Sequence, residues 1–135
     1  MNLTFSVKKN LDFVFDYLTE IQKFVSVHPV ITKIDQTGDH TYLVYETLTF
    51  GFIPFSFTYP VTIQSNPLDH TVIIYATVMK FTKIEMHFAL KQNEDFTVVQ
   101  ESVLFESPLP IKLIMEGIFK KQHTQLFKNI ALVQK

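Results

Sequence analysis

Glu101 alternates with Thr97, Val99, Val103 and Phe105 along a strand-like run, so an inward turn of that face carries a carboxyl group into an apolar interior. A carboxyl there resists ionisation unless it is paired. It could hydrogen-bond a ligand hydroxyl or act as a general acid. Two other readings stand beside that one: Gln100 and Ser102 take the inward places, or Glu101 meets a structural partner. Gln122 poses the same question on a helix. It lies mid-stripe between Ile118 and Leu126, where it either lines a cavity or is a buried amide satisfied by backbone or water. His123 falls toward the edge of that stripe, the place of a half-exposed structural histidine. Glu46, Tyr42, Tyr45 and Tyr59 could add polar groups to an interior, although tyrosines are ordinary strand residues. The histidines His28, His40, His70, His87 and His123 show no HxH or HExxH spacing, and the chain has 0 Cys, so neither a metal nor a cofactor is expected. Ser56 and Ser107 lack a nucleophile-elbow context, and no glycine-rich phosphate loop occurs.

The elements that would hold these groups follow from periodicity. Leu3, Phe5 and Val7 alternate with polar residues as a short opening strand. Asn10 can cap a helix carrying Leu11, Val14, Phe15, Leu18 and Ile21, and Thr19 with Gln22 could restart a second short helix. His28-Pro29 closes this region, because proline disfavours helical geometry in the residue before it. Six candidate strands follow: Val30 to Thr37, Thr41 to Phe50, Phe55 to Gln64, Thr71 to Met79, Lys83 to Gln92 and Phe96 to Phe105. The third places Phe55, Phe57, Tyr59, Val61 and Ile63 on one face. The fifth places Ile84, Met86, Phe88 and Leu90 likewise. Connections this short imply an antiparallel meander. After Pro108 and Pro110, Ile111, Ile114, Met115, Ile118, Leu126, Ile130 and Val133 keep a helical period. A helix of roughly 23 residues would be about 34 Å long, enough to cross the sheet.

Composition sets the bounds. A chain of 135 residues without a linker predicts one domain over 1–135. With 47% hydrophobic residues, including 14 Phe and 5 Tyr, it can fill a dense core or line an apolar pocket. A net charge of -1 gives no basic footprint for nucleic acid. The N-terminus lacks a signal-like pattern and no run of about 18 apolar residues occurs, so a cytoplasmic protein is expected.

The order strand, two short helices, six-strand meander, long helix resembles the START-like (SRPBCC) superfamily. The local carriers are Phe13-Val14-Phe15-Asp16-Tyr17-Leu18, Val27 to Ile34, Asp95-Phe96-Thr97-Val98-Val99 and Leu126-Phe127-Lys128-Asn129-Ile130. The resemblance implies an α+β helix-grip fold, a curved antiparallel sheet of about seven strands wrapped around the C-terminal helix. It also implies an apolar cavity for a lipid, polyketide, quinone or similar molecule, with polyketide cyclase or dehydratase chemistry as the alternative and a filled-core interaction module as the third reading. Glu101, Gln122, Phe57, Tyr59, Met86, Phe88, Met115 and Ile118 are the expected ligand contacts. The glycine-rich loop of the plant-allergen branch is missing, since the only glycines are Gly38, Gly51 and Gly117.

In a meander alternate turns share one end of the sheet. One end is polar: residues 37–40, 65–70 and 92–95. The other carries Phe50-Gly51-Phe52-Ile53-Pro54, Met79-Lys80-Phe81-Thr82 and Ser107-Pro108-Leu109-Pro110. Phe52, Ile53 and Phe81 are therefore the expected portal, with Lys80, Lys83 and Lys112 placed for transient membrane contact. Packing of the tips on the last helix, or against one another in a homodimer, is the rival expectation.

Overall fold

The computed structural model describes residues 1–134. Its elements are β1 (Asn2–Val7), α1 (Leu11–Thr19), α2 (Ile21–Val27), β2 (Ile31–Gln36), β3 (Thr41–Phe50), β4 (Ile53–Asn66), β5 (Thr71–Val78), β6 (Thr82–Asn93), β7 (Phe96–Glu106) and α3 (Lys112–Leu132). The seven strands form one antiparallel sheet in the order β1-β7-β6-β5-β4-β3-β2. This is the helix-grip α+β arrangement, with α3 as the long C-terminal helix.

Local chemistry accounts for the boundaries. Asn10 caps α1, its side-chain oxygen accepting from the Phe13 amide at 2.9 Å. The expected Thr19/Gln22 capping pair does not form. Thr19 Oγ1 instead donates back to the Phe15 carbonyl, and Glu20 separates α1 from α2 without a side-chain cap. β3 and β4 pair over their whole length from Thr41↔Thr62 to Phe50↔Ile53, so β4 starts two residues earlier than its alternation suggests. The connecting pair Gly51-Phe52 is tight, and Gly51 supplies its positive φ of 63°. β4 then pairs with β5 only from Val61 to Asn66. Its first eight residues are bonded on the β3 side alone, which is where Pro54 and Pro60 are tolerated.

α3 is fastened at one end. Leu126, Phe127 and Ile130 are buried in the same apolar core as Val7 and Val99, and Phe127 stacks on Phe5 of β1 at 4.6 Å. Lys9 Nζ donates to the Ala131 carbonyl at 3.1 Å, placing a cation at the negative end of the helix. Asn129 Nδ2 donates to the Val27 carbonyl at the end of α2. The other end has no such ties: Ile111 makes no side-chain cap, and Leu113 and Ile114 are exposed.

Truncations on the two halves of α3 are therefore expected to differ. Ile130→Ala should lower the unfolding free energy by about 2 to 5 kcal/mol. Leu113→Ala should stay within about 0.5 kcal/mol. Urea melts measure both, and equal losses would contradict a helix fastened at one end.

Candidate functional site

Where α3 leaves β1, a cavity of about 390 Å³ opens between the helix and strands β2 to β6. Its wall is mostly apolar. Phe57, Val61 and Ile63 of β4 face Met86 and Phe88 of β6, while Met115, Ile118 and Phe119 of α3 form the roof. Phe55, Met79 and Ile114 border the cavity and are also exposed, which locates its mouth at the end carrying the apolar turns. Thr82 Oγ1 donates to Ser107 Oγ at 3.0 Å and ties two of those turns together. In the β5–β6 turn Met79 and Lys80 both hold positive φ, 55° and 66°, a conformation that costs a non-glycine residue of order 1 kcal/mol and persists where the surroundings enforce it.

The polar groups gather deeper. Gln122 lies seven residues beyond Met115 on α3, about 10 Å further along the helix axis. Glu46, Tyr59, His28 and His123 border the same region. Tyr59 donates its hydroxyl to Glu46 Oε1 at 2.8 Å. Burial raises the Glu46 carboxyl above its ordinary range, against the opposing influence of the Tyr59 hydroxyl, nearby His123 and the Gln122 amide. Burial, and then the charge of Glu46, drives the Tyr59 phenol well above its usual value. His28 Nδ1 accepts from the Val30 and Ile31 amides at 3.2 and 3.1 Å, which leaves its ring proton on Nε2. Burial, with a smaller push from His123, lowers His28 to about 3. It is a neutral donor at physiological pH. A register shift between Ile31 and Lys33 of β2 lies opposite Tyr45 and Glu46, a bulge of the kind that re-aims side chains beside a site.

Behind this region lies a second pair. Glu101 of β7 and His123 of α3 are 2% and 5% exposed. Nδ1 of the imidazole stands 2.7 Å from both carboxyl oxygens. Hydrogen-bond geometry is met at Oε1, so Oε2 is the one enclosed side-chain nitrogen or oxygen among the described residues without a partner. Also among the described residues, no group of three or more His, Cys, Asp or Glu could hold a metal ion, and no helix is long and apolar enough to cross a membrane.

No protein-family profile and no curated protein matches the sequence. Solved structures do match. A START superfamily protein from Mycobacterium smegmatis superposes with a TM-score of 0.79 at 14% identity, over 97% of this chain and 93% of that one. The Zhui aromatase/cyclase from Streptomyces sp. R1128 gives 0.69 at 9% identity, over 97% and 90%. The di-domain ARO/CYC BexL of the BE-7585A biosynthetic pathway gives 0.83 at 12% identity. The chain has the START-like fold. At these identities the likeness is one of fold, and the chain covers 98% of itself but 46% of BexL, about half of that two-domain protein.

Within this START-like framework, Phe57, Tyr59, Met86, Phe88, Met115, Ile118 and Gln122 all border the cavity. Glu101 does not. It faces inward as its alternation requires, but the His123 ring stands between it and the cavity. Phe52, Ile53 and Phe81 are not among the residues bordering the cavity; Phe52 and Phe81 are exposed on turns and Ile53 at the start of β4. His123 corrects the expectation of a half-exposed residue. Its spacing of three, four and seven from Leu126, Phe127 and Ile130 is the signal that places it on the buried stripe. His28 has a weaker signal, a histidine closing a helix just before proline.

Holding His28 neutral by burial makes the stability of the fold depend on pH. A base whose folded value lies below its unfolded 6.5 stabilises the fold above pH 6.5 and loses that contribution as the pH falls toward about 3. His28→Asn retains an acceptor for the two amides and has no proton to gain. Relative to that variant, wild-type stability should fall by up to about 1.4 kcal/mol per pH unit across this window. Parallel stability curves in urea melts would show that His28 is not held neutral by burial.

Proposed function

We propose that the cavity binds an uncharged, largely apolar small molecule, such as a polyketide-, quinone- or lipid-like compound, whose oxygen meets the deep polar cluster. The observation that carries this reading is the character of the wall: an apolar cavity of about 390 Å³ with one polar cluster and neither Lys nor Arg among its lining residues. That volume lies within the range of small-molecule pockets, roughly 300 to 1,000 Å³. A ligand carboxylate would enter beside Glu46 without a cation to meet it, and an unpaired buried charge is costly. A hydroxyl or carbonyl finds donors in Gln122 and His28 and an acceptor in Glu46.

The bicyclic ketone 2-tetralone and the carboxylate 2-naphthoate are similar in shape and differ in charge. The ketone should bind, the carboxylate at least tenfold more weakly, and Ile118→Trp should abolish ketone binding by filling the space. Calorimetry reads all three, and equal affinity for both probes would defeat the reading.

The ligand would pass through the mouth at the apolar end. Phe52 on the β3–β4 turn, Ile53 at the start of β4 and Phe81 on the β5–β6 turn form its rim, with Leu109 and Leu113 also exposed nearby in sequence to the helix start. Such a surface suits transient contact with a membrane, with Lys80, Lys83 and Lys112 meeting anionic headgroups. Phe52→Asp should slow uptake of a hydrophobic probe from anionic liposomes by tenfold or more, while equilibrium binding of 2-tetralone stays unchanged. A dimer-to-monomer shift in sedimentation would assign the rim to self-association instead, and no change in either measurement removes both roles.

A further inference from the structure

The Glu101–His123 pair has an asymmetry that a purely structural pair does not need. Both members are buried, yet the imidazole borders the cavity and the carboxyl stands behind it. Nδ1 is turned to the carboxyl oxygens at 2.7 Å. With Nδ1–H directed at Glu101, the lone pair of a neutral imidazole resides on Nε2, at the opposite edge of the ring. His123 is among the residues bordering the cavity and Glu101 is not, so the ring edge away from the carboxyl is the one turned toward it. Phe119 meets the ring edge-on at 5.1 Å and Phe88 lies 6.1 Å away, so the imidazole has little freedom to turn. A carboxyl fixed on one nitrogen and an open site at the other is the arrangement that orients a histidine as a base.

We propose that His123, positioned by Glu101, is a general base that removes a proton from a carbon adjacent to a carbonyl group of the bound ligand. This inference rests on the cavity being a site for uncharged apolar molecules. In the step, Nε2 takes the proton, the C–H electron pair becomes a C=C bond, and the carbonyl π pair moves onto oxygen. The oxygen is then held by the neutral donors bordering the same region, the Gln122 amide and His28 Nε2–H. Return of the proton from the imidazolium to carbon regenerates ketone and base. In heavy water the returning proton is a deuteron, so the net change is C–H to C–D with HOD released. His123 is the catalytic residue and Glu101 a positioning residue. The groups facing the imidazole from the surrounding elements are Glu101 of β7, Glu46 of β3, Tyr59 of β4, and His28 beyond α2.

Deuterium incorporation into 2-tetralone in heavy water, followed by mass spectrometry beside calorimetric binding of the same compound, tests this directly. The wild-type protein should accelerate exchange at least tenfold over equimolar imidazole, within the range general bases supply. His123→Gln should remove the acceleration, and Glu101→Gln should reduce it about tenfold, both with ketone affinity changed less than threefold. A merely structural Glu101 would lower stability and leave the exchange rate of the folded fraction unchanged. Binding without accelerated exchange overturns the base and leaves the binding reading intact, as does full acceleration in His123→Gln. Absence of ketone binding overturns both. If either variant fails to fold, the comparison of wild type with imidazole still decides.

Discussion

The attachment of the second half of α3 to β1 is the constraint from which the interior follows. Leu126, Phe127 and Ile130 are sealed against the sheet there, and Lys9 and Asn129 tie the last turns to neighbouring loops. A helix is stiff, so fixing one half determines where the other half travels. The first half consequently runs above β4 to β6 without closing on them, and the space beneath it is the cavity. Had Leu113 turned inward, its side chain would have occupied part of that volume. It faces solvent instead, and Ile114 borders the cavity only at its exposed mouth.

The polar residues of the interior are expensive by any ordinary measure. A buried ion pair or acid cluster seldom stabilises a fold as well as apolar side chains of the same size would. Glu46, Tyr59, Glu101 and His123 are nevertheless arranged so that most of their hydrogen-bonding capacity is met from one side only. Tyr59 holds one oxygen of Glu46, Glu101 holds one nitrogen of His123, and backbone amides hold one nitrogen of His28. In each case the remaining atom of the group is left to the cavity or to a close neighbour. The strained Met79-Lys80 turn beside the mouth fits the same pattern, in which local cost concentrates around a ligand site and the rest of the sheet stays regular.

Much of this was legible in the residues. Alternation placed Glu101 inward, set Phe55 through Ile63 on one face of β4, and assigned the apolar turns to one end. Periods of two and of three to four are local properties and survive without tertiary information. A stripe drawn on α3 through Ile111, Ile118 and Val133 leaves His123 at its edge, because the facing surface changes along the helix from cavity to core. Glu101 and His123 are 22 residues apart in the chain, and their meeting is a fact of packing rather than of pattern. The same holds for His28, whose neutrality comes from two backbone amides and from burial, neither of which a sequence displays.

The first half of β4, which pairs with β3 and not with β5, has a consequence for solubility. Ile63 donates its amide to His40, so the odd-numbered residues of β4 turn their backbone groups toward β3 and the even-numbered ones turn theirs the other way. Between 53 and 60 the outward positions are Pro54, Ser56, Thr58 and Pro60. Two of the four have no N–H to offer. An open strand edge is ordinarily a template on which a second chain can add, leading to strand exchange or fibre growth. Here the ladder is interrupted at both ends of the open segment. The open stretch of β4 is therefore guarded against polymerisation by its own prolines.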